Sequence, residues 1–335
     1  MLASGVRRGA GWGLVLPDPR SSVMSLDPIS RPADGAVFLG GEAVHYDAVS
    51  PGSVAVIGIP GATPYRSGSP HSAAAPGAIR AASAPQAVRR GHYDFDLGGP
   101  LLRERDRLVD CGDIAFDPAD LAGNRARIEA VYTSLLARGA APLLLGGDDS
   151  VQIPALRAFA ARGEISVLQV DAHIDWREEV EGERFGLSST MRRASELSGV
   201  KAIVQVGAHG IGSAREAEVI DARAAGAQLI DMRMLRAKGI AHAAQCVPAG
   251  RPVVVCFDVD GFDPSVVPGV LGRAPGGLGF GDVVDLLNGV AERAPIIGFN
   301  IVEFVPQQDV GGLGTRAVCR LAMLAAGLLA RSVKR

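Results

Sequence analysis

A chain of 335 residues with 34 Lys and Arg against 36 Asp and Glu, a formal charge of −2, can bury a substantial core and lacks the positive excess of a nucleic-acid-binding protein. Four widely spaced cysteines, Cys111, Cys246, Cys256 and Cys319, form no CxxC pair; they point to free thiols in a reducing, cytoplasmic compartment rather than to zinc or disulfide chemistry. No uninterrupted apolar run approaches the ~20 residues a membrane helix needs, so neither membrane nor nucleic acid is an expected partner.

Residues 1–23 carry Arg7, Arg8 and Arg20 against Asp18 and read as a disordered extension, with organellar targeting the sharper alternative and Met24 a possible start. Residues 24–50, rich in Pro, Gly and Asp, complete an N-terminal arm over a body running from 51 to 335. VAVIGIP at 54–60 is a short β-branched run stopped by Pro60 and Gly61, the pattern of a strand buried on both faces. The loop that follows, GATPYRSGSPHSAAAPG, is long for an α/β connection, and long loops tend to be functional. A helix is expected from near Pro76, a strand at 107–114, and a helix from about Pro118 to Arg138 ended by Gly139.

Two apolar runs come next, Leu143–Leu145 and Ile165–Val170, each closing on acidic residues with a helical segment between them. Further strands are expected at 202–206, 228–230, 253–260 and 296–306. Helices are expected around 188–197, 213–225, 281–291 and 315–331. This alternation predicts one three-layer α/β/α domain with a mostly parallel sheet of about eight strands. A dinucleotide or phosphate loop is excluded, since GIPGATPYRSG lacks GxGxxG spacing and no GxxxxGK[ST] occurs.

In a parallel sheet the strand ends share one edge, which gathers Asp148, Asp149, Asp171, His173 and Asp175 with Asp258, Asp260 and Asp263. DAHID and DVD place side chains at every second position, and extended chain would aim them to one side. Carboxylates converging there repel unless cations neutralise them. Mixed Asp and His donors suit Mn²⁺, Fe²⁺, Co²⁺, Ni²⁺ or Zn²⁺ better than Ca²⁺, and their number suits two ions sharing ligands. Asp148, Asp263 and Asp113 read instead as caps or turn formers. The other histidines read as loop or surface residues: His45 in the arm, His71 and His92 in polar loops, His242 in an Ala-rich segment. His209, after a strand, is nearer the cleft but also reads first as a loop residue.

These motifs in this order make the chain resemble the ureohydrolases, the arginase and agmatinase family, with the agmatinase branch nearest. The resemblance runs from about Val54 to the C terminus. It is carried by the GIP strand with YRSGSPHSAAAPGAIR, GGDDS at 146–150, DAHID at 171–175, FDVDGFDPS, and IVEFVP at 301–306. It implies an arginase-like fold, trimers or hexamers, and two Mn²⁺ ions, with Ni²⁺, Co²⁺ or Fe²⁺ possible. Asp171 and Asp258 would bridge them. His173 and Asp260 would complete one ion's set, and Asp175 would ligate the other while holding the metal-bridging hydroxide. Glu303 corresponds to the carboxylate that receives a substrate guanidinium. A guanidinium is a poor electrophile, so metal-acidified water is a fitting nucleophile, and the implied products are urea and an amine.

Two departures mark this sequence. GGDDS puts Asp149 where the family has a metal-binding histidine, so Asp149 either ligates in its place, at a cost in Lewis acidity, or turns away. Leu187 stands where agmatinases carry a proton-shuttling histidine. Arg177, where arginases have an asparagine, reads first as a solvated charge in WREEVEGER and, as the sharper alternative, as a partner for a substrate carboxylate. The leading expectation is hydrolysis of an agmatine-like compound or a guanidino acid; the alternative is a catalytically silent subunit with an assembly or regulatory role.

Overall fold

β-Branched and leucine-rich runs form the eight parallel strands of the central sheet in the computed structural model, which describes residues 1, 29–30, 35–61, 65, 71–212 and 214–333. They are β1 (Ser53–Gly58), β2 (Arg107–Ile114), β3 (Ala141–Leu145), β4 (Ile165–Val170), β5 (Val200–Val206), β6 (Gln228–Ile230), β7 (Val253–Asp258) and β8 (Ile296–Val302). Their spatial order is 2-1-3-8-7-4-5-6. Two two-residue strands on the outer edge of β2, Ile29–Ser30 antiparallel and Glu42–Ala43 parallel, bring the sheet to ten. The extension before residue 29, with Arg7, Arg8, Arg20 and Met24, lies outside the described residues apart from Met1.

Side chains alternate across the sheet as the period of two requires. Val54, Val56, Leu143, Leu145, Val253, Val255 and Phe257 join a core beneath the helices Ala75–Ser83, Phe280–Arg293 and Leu313–Ser332. Ala55, Ile57, Leu144, Val254 and Cys256 face the opposite core, beneath Leu121–Ala137, Gln152–Arg162 and Thr190–Ser195. Both faces are covered, so the strands are mostly apolar on both sides, with a few buried polar residues such as Asp110, Gln169 and Gln205. Leu313–Ser332 is long and apolar enough to cross a membrane by length and composition, yet 67% of its apolar window is buried in the protein, as in a core helix. Two helices that periodicity does not announce, Met232–Lys238 and Ile240–Cys246, are short and divided at Gly239.

Besides its strand pairing with β2, the arm is held at a buried cluster of Arg80 with two aspartates. Arg80 is fully buried and forks onto Asp110 through Nε (2.8 Å) and Nη2 (2.9 Å), while Nη1 reaches Asp113 Oδ1 at 2.5 Å. Asp110 Oδ2 also accepts the Phe38 backbone N–H at 2.7 Å. Asp113, expected to serve as a turn former, is thus a partner of Arg80. The pairing ties the arm to β2 and to the helix that carries Arg80.

Candidate functional site

The carboxyl ends of β3, β4, β7 and β8 meet at the middle of the sheet, where connections leave to opposite sides. After β3 the chain turns through Gly146 and Gly147, both left-handed at φ 86° and 77°. A Cβ on Gly146 would stand 2.5 Å from Pro76 Cδ, and one on Gly147 2.8 Å from the Gly61 carbonyl oxygen, so only glycine fits this turn. Asp148 then caps the following turn through Ser150, as its sequence position suggests. Asp149 points into the strand-end cluster.

Two groups of potential ligands result. Asp149, Asp171 and Asp258 each bring a carboxylate oxygen within 4.8 Å of the others, and so do one donor atom each of Asp171, His173 and Asp260. Asp171 belongs to both. Asp149 Oδ2 is buried without a hydrogen-bond partner in the protein, an uncompensated acceptor that costs free energy unless a cation meets it. The hard, anionic donor set with one imidazole, arranged as two groups around a shared carboxylate, fits a pair of divalent transition-metal ions.

Local geometry departs from simple alternation. Asp258 caps the 3-10 turn Val259–Gly261 and accepts the Asp260 N–H at 2.8 Å, so the i, i+2 pair divides between the two groups. His173 Nδ1 lies 3.2 Å from Asp171 Oδ1 and 3.0 Å from Asp260 Oδ2. Asp175 enters by a left-handed backbone at φ 49°, not as the next residue of an extended chain, and lies in neither group. Its Oδ2 instead accepts Gln169 Nε2 at 2.6 Å, and the same amide donates to Asp171 Oδ2 at 2.7 Å.

Mutual repulsion in a buried place shows in protonation. Burial, reinforced by Asp171, pushes the Asp149 and Asp175 carboxyls well above the usual range, and burial with Asp260 does the same to Asp258. Asp171 is raised by burial and Asp260. At His173 burial opposes the charge, but hydrogen bonds to Asp171 and Asp260 outweigh it and hold the imidazolium up to about 11. Without ions, protons carry out the neutralisation.

Above the cluster opens a cavity of about 240 Å³ whose walls include Asp175, Trp176, Arg177, Leu187, Glu218 and Glu303. Glu303 follows β8 in a left-handed conformation, φ 66°, with its N–H on the Gly147 carbonyl at 3.0 Å and Oε1 accepting the Asp149 N–H at 2.9 Å. Of the four described non-glycine residues with positive φ, two, Asp175 and Glu303, are at this site, and each costs roughly 1–3 kcal/mol that the surrounding bonds offset. Arg177 reaches the wall with Nε 3.7 Å from Glu218 Oε1.

One residue read from sequence as a loop histidine lies at this site. His71 Nε2 is 2.5 Å from Glu303 Oε2, across 232 positions of sequence. Its signal was the unusual length of the loop after β1. His209 is held between the carbonyls of Gly207 and Ala274, at 2.7 and 3.0 Å, as a loop residue.

The profile of the arginase family matches residues 52–327. The chain is 33% identical over 272 residues to proclavaminate amidinohydrolase of Streptomyces clavuligerus, covering 78% of this chain and 82% of that protein. It is 31% identical over 292 residues to guanidinopropionase of Pseudomonas aeruginosa, covering 83% of this chain and 88% of that protein. The solved structure of the Streptomyces amidinohydrolase superposes with a TM-score of 0.78 at 27% identity, covering 89% of this chain and 97% of that one.

Proposed function

The chain belongs to the arginase family of hydrolases, and we propose that it hydrolyses a short guanidino acid to urea and an amino acid with two Mn²⁺ ions. The observation that carries the reading is the shared carboxylate of Asp171 between two ligand groups, directly beneath a cavity that has Glu303 on one wall and Arg177 on another. In this proposal Asp149, Asp171 and Asp258 hold one ion and Asp171, His173 and Asp260 the other, with Asp175 sharing the Gln169 amide with Asp171 beside them. Divalent ions bound there would supply the acidity that makes water a nucleophile near neutral pH.

The protein's own groups do the rest. Glu303 binds the planar guanidinium, for which a carboxylate is the matching partner. Asp175, held by Gln169, orients the attacking water and takes up its proton, which is returned to the leaving nitrogen as its bond to the guanidine carbon breaks, giving urea and the free amino acid. Arg177 meets the carboxylate at the far end of the substrate, which favours a guanidino acid over agmatine. The name of the relative guanidinopropionase supports the same class. A cavity of about 240 Å³ suits a chain of a few carbons.

The test is urea release by Mn²⁺-loaded protein from 3-guanidinopropionate, 4-guanidinobutyrate, agmatine, arginine and free guanidine. The expected order places the acids without an α-amino group first. Two bound ions with no urea from any of them would overturn the activity.

A further inference from the structure

Glu303 is held on both oxygens. Oε1 accepts the Asp149 backbone N–H at 2.9 Å and Oε2 meets His71 Nε2 at 2.5 Å. A carboxylate only accepts, so the imidazole N–H is the donor and Nε2 carries the proton. His71 is nearly enclosed, its side chain 12% exposed beside a Glu303 side chain that is 11% exposed. Each carboxylate oxygen offers two lone pairs, four in all. The two protein donors occupy one on each oxygen and leave one on each, the pair that a two-pronged guanidinium requires. Were either donor missing, the carboxylate would swing about its last torsion and present different lone pairs to the cavity.

We propose that His71 is a positioning residue that acts through Glu303: its hydrogen bond fixes the carboxylate plane, and with it the orientation of the guanidino group over the strand-end carboxylates. The proposal rests on the guanidino-hydrolase reading given above. It assigns a role to a residue of the long loop after β1. No other described imidazole is bonded to Glu303, and the Leu187 side chain on the cavity wall has no donor to offer.

The experiment compares the full-length, Mn²⁺-loaded protein with His71→Gln and His71→Leu. Gln keeps an amide N–H donor near the Nε2 position, and Leu keeps volume without a donor. Steady-state urea release gives kcat and KM, elemental analysis gives ions per chain, and circular dichroism checks the fold. Misplacing a reacting group by about 1 Å can cost about 10²-fold, so His71→Leu is expected to lose on the order of 10²-fold in kcat/KM, mainly in kcat. His71→Gln is expected to recover to within about tenfold of the unaltered protein, since it restores the hydrogen bond. Ion content should be the same in all three. His71→Ala takes the place of His71→Leu should the leucine variant fail to fold.

Leu or Ala at wild-type activity would overturn the proposal alone, and so would a Gln variant as impaired as Leu. A loss of bound metal in the Leu variant would also overturn it, by showing that His71 supports the ion cluster and not Glu303. An unaltered protein that binds Mn²⁺ but releases no urea would overturn the guanidino-hydrolase reading, and this proposal with it.

Discussion

Gln169 Nε2 donates to Asp175 Oδ2 at 2.6 Å, from a fully buried amide on β4. The same nitrogen donates to Asp171 Oδ2, and Gln169 Oε1 accepts Gln205 Nε2. Gln205 also donates to the Ile174 carbonyl at 2.8 Å, and its Oε1 accepts the Trp176 indole N–H at 2.7 Å. Two glutamines and a tryptophan thus hold the chain that carries DAHID by its side chains and backbone. Gln169→Met keeps the volume and removes both donors. Metal affinity is expected to fall about 10- to 100-fold, the usual consequence of losing a hydrogen bond that orients a ligand. A Mn²⁺ titration checks this. An unaltered affinity would show that the backbone alone orients Asp171 and Asp175.

Asp149 stands where the resemblance implies a metal-binding histidine, and its carboxylate faces the cluster with Oδ2 unpartnered. Burial, Asp171 and Glu303 all oppose its charge. Asp149→His removes one negative charge and supplies a neutral donor, so Mn²⁺ should be retained as well or better. Asp258→Ala, by contrast, is expected to lose at least one ion per chain and all urea release. Elemental analysis of the two variants separates the cases; full occupancy in Asp258→Ala would exclude Asp258 from the ligand set.

The fold was legible because its signal is local: most of the buried strands are β-branched or leucine runs, and most end at or just before Gly or Asp. Asp171 and His173 were legible for the same reason, lying two apart at a strand end. The alternation fails at Asp175, where a left-handed residue redirects the chain, and at Asp258 and Asp260, where a 3-10 turn sends the two carboxylates to different groups. His71 and Gln169 were not legible as site residues. The partner of His71 lies 232 positions away, and Gln169 appears in sequence as one polar residue in an apolar strand. Such contacts are set by tertiary packing, to which spacing along the chain is blind.

Protons and metal ions should compete for the same carboxylates. Asp149, Asp175 and Asp258 sit above their unfolded values, so their protonated forms stabilise the native state fully below about pH 4, and that contribution is lost as pH rises through the raised native values. His173 acts in the same direction: the imidazolium's contribution is complete below its ordinary 6.5 and is lost as pH rises toward about 11. The metal-free protein is therefore expected to lose stability from the cluster between about pH 5 and about pH 8, while the gain on adding Mn²⁺ grows over that interval. Thermal melts with EDTA and with excess Mn²⁺ at both pH values read this directly. A metal-induced rise in Tm that is equal at the two would show that the ions do not displace these protons.

Arg177 sets the last expectation, concerning which guanidino compound is chosen. Its guanidinium lies on the cavity wall with Nε 3.7 Å from Glu218 Oε1, a loose pairing, while Glu218 Oε2 is occupied by the Arg215 N–H at 2.8 Å. A substrate carboxylate entering the cavity would be the better partner, since a charge-assisted bond contributes about 1.5–3 kcal/mol. Arg177→Met keeps the reach of the side chain and removes the charge. The kcat/KM for 3-guanidinopropionate or 4-guanidinobutyrate is expected to fall roughly 10- to 100-fold, mostly through KM, by the conversion of about 1.4 kcal/mol per tenfold. Agmatine ends in an ammonium that Arg177 repels, so its kcat/KM should hold or rise. The ratio of the two substrates is the measurement, because a general loss of folding or metal lowers both together; a ratio unmoved by Arg177→Met would place carboxylate recognition elsewhere in the cavity.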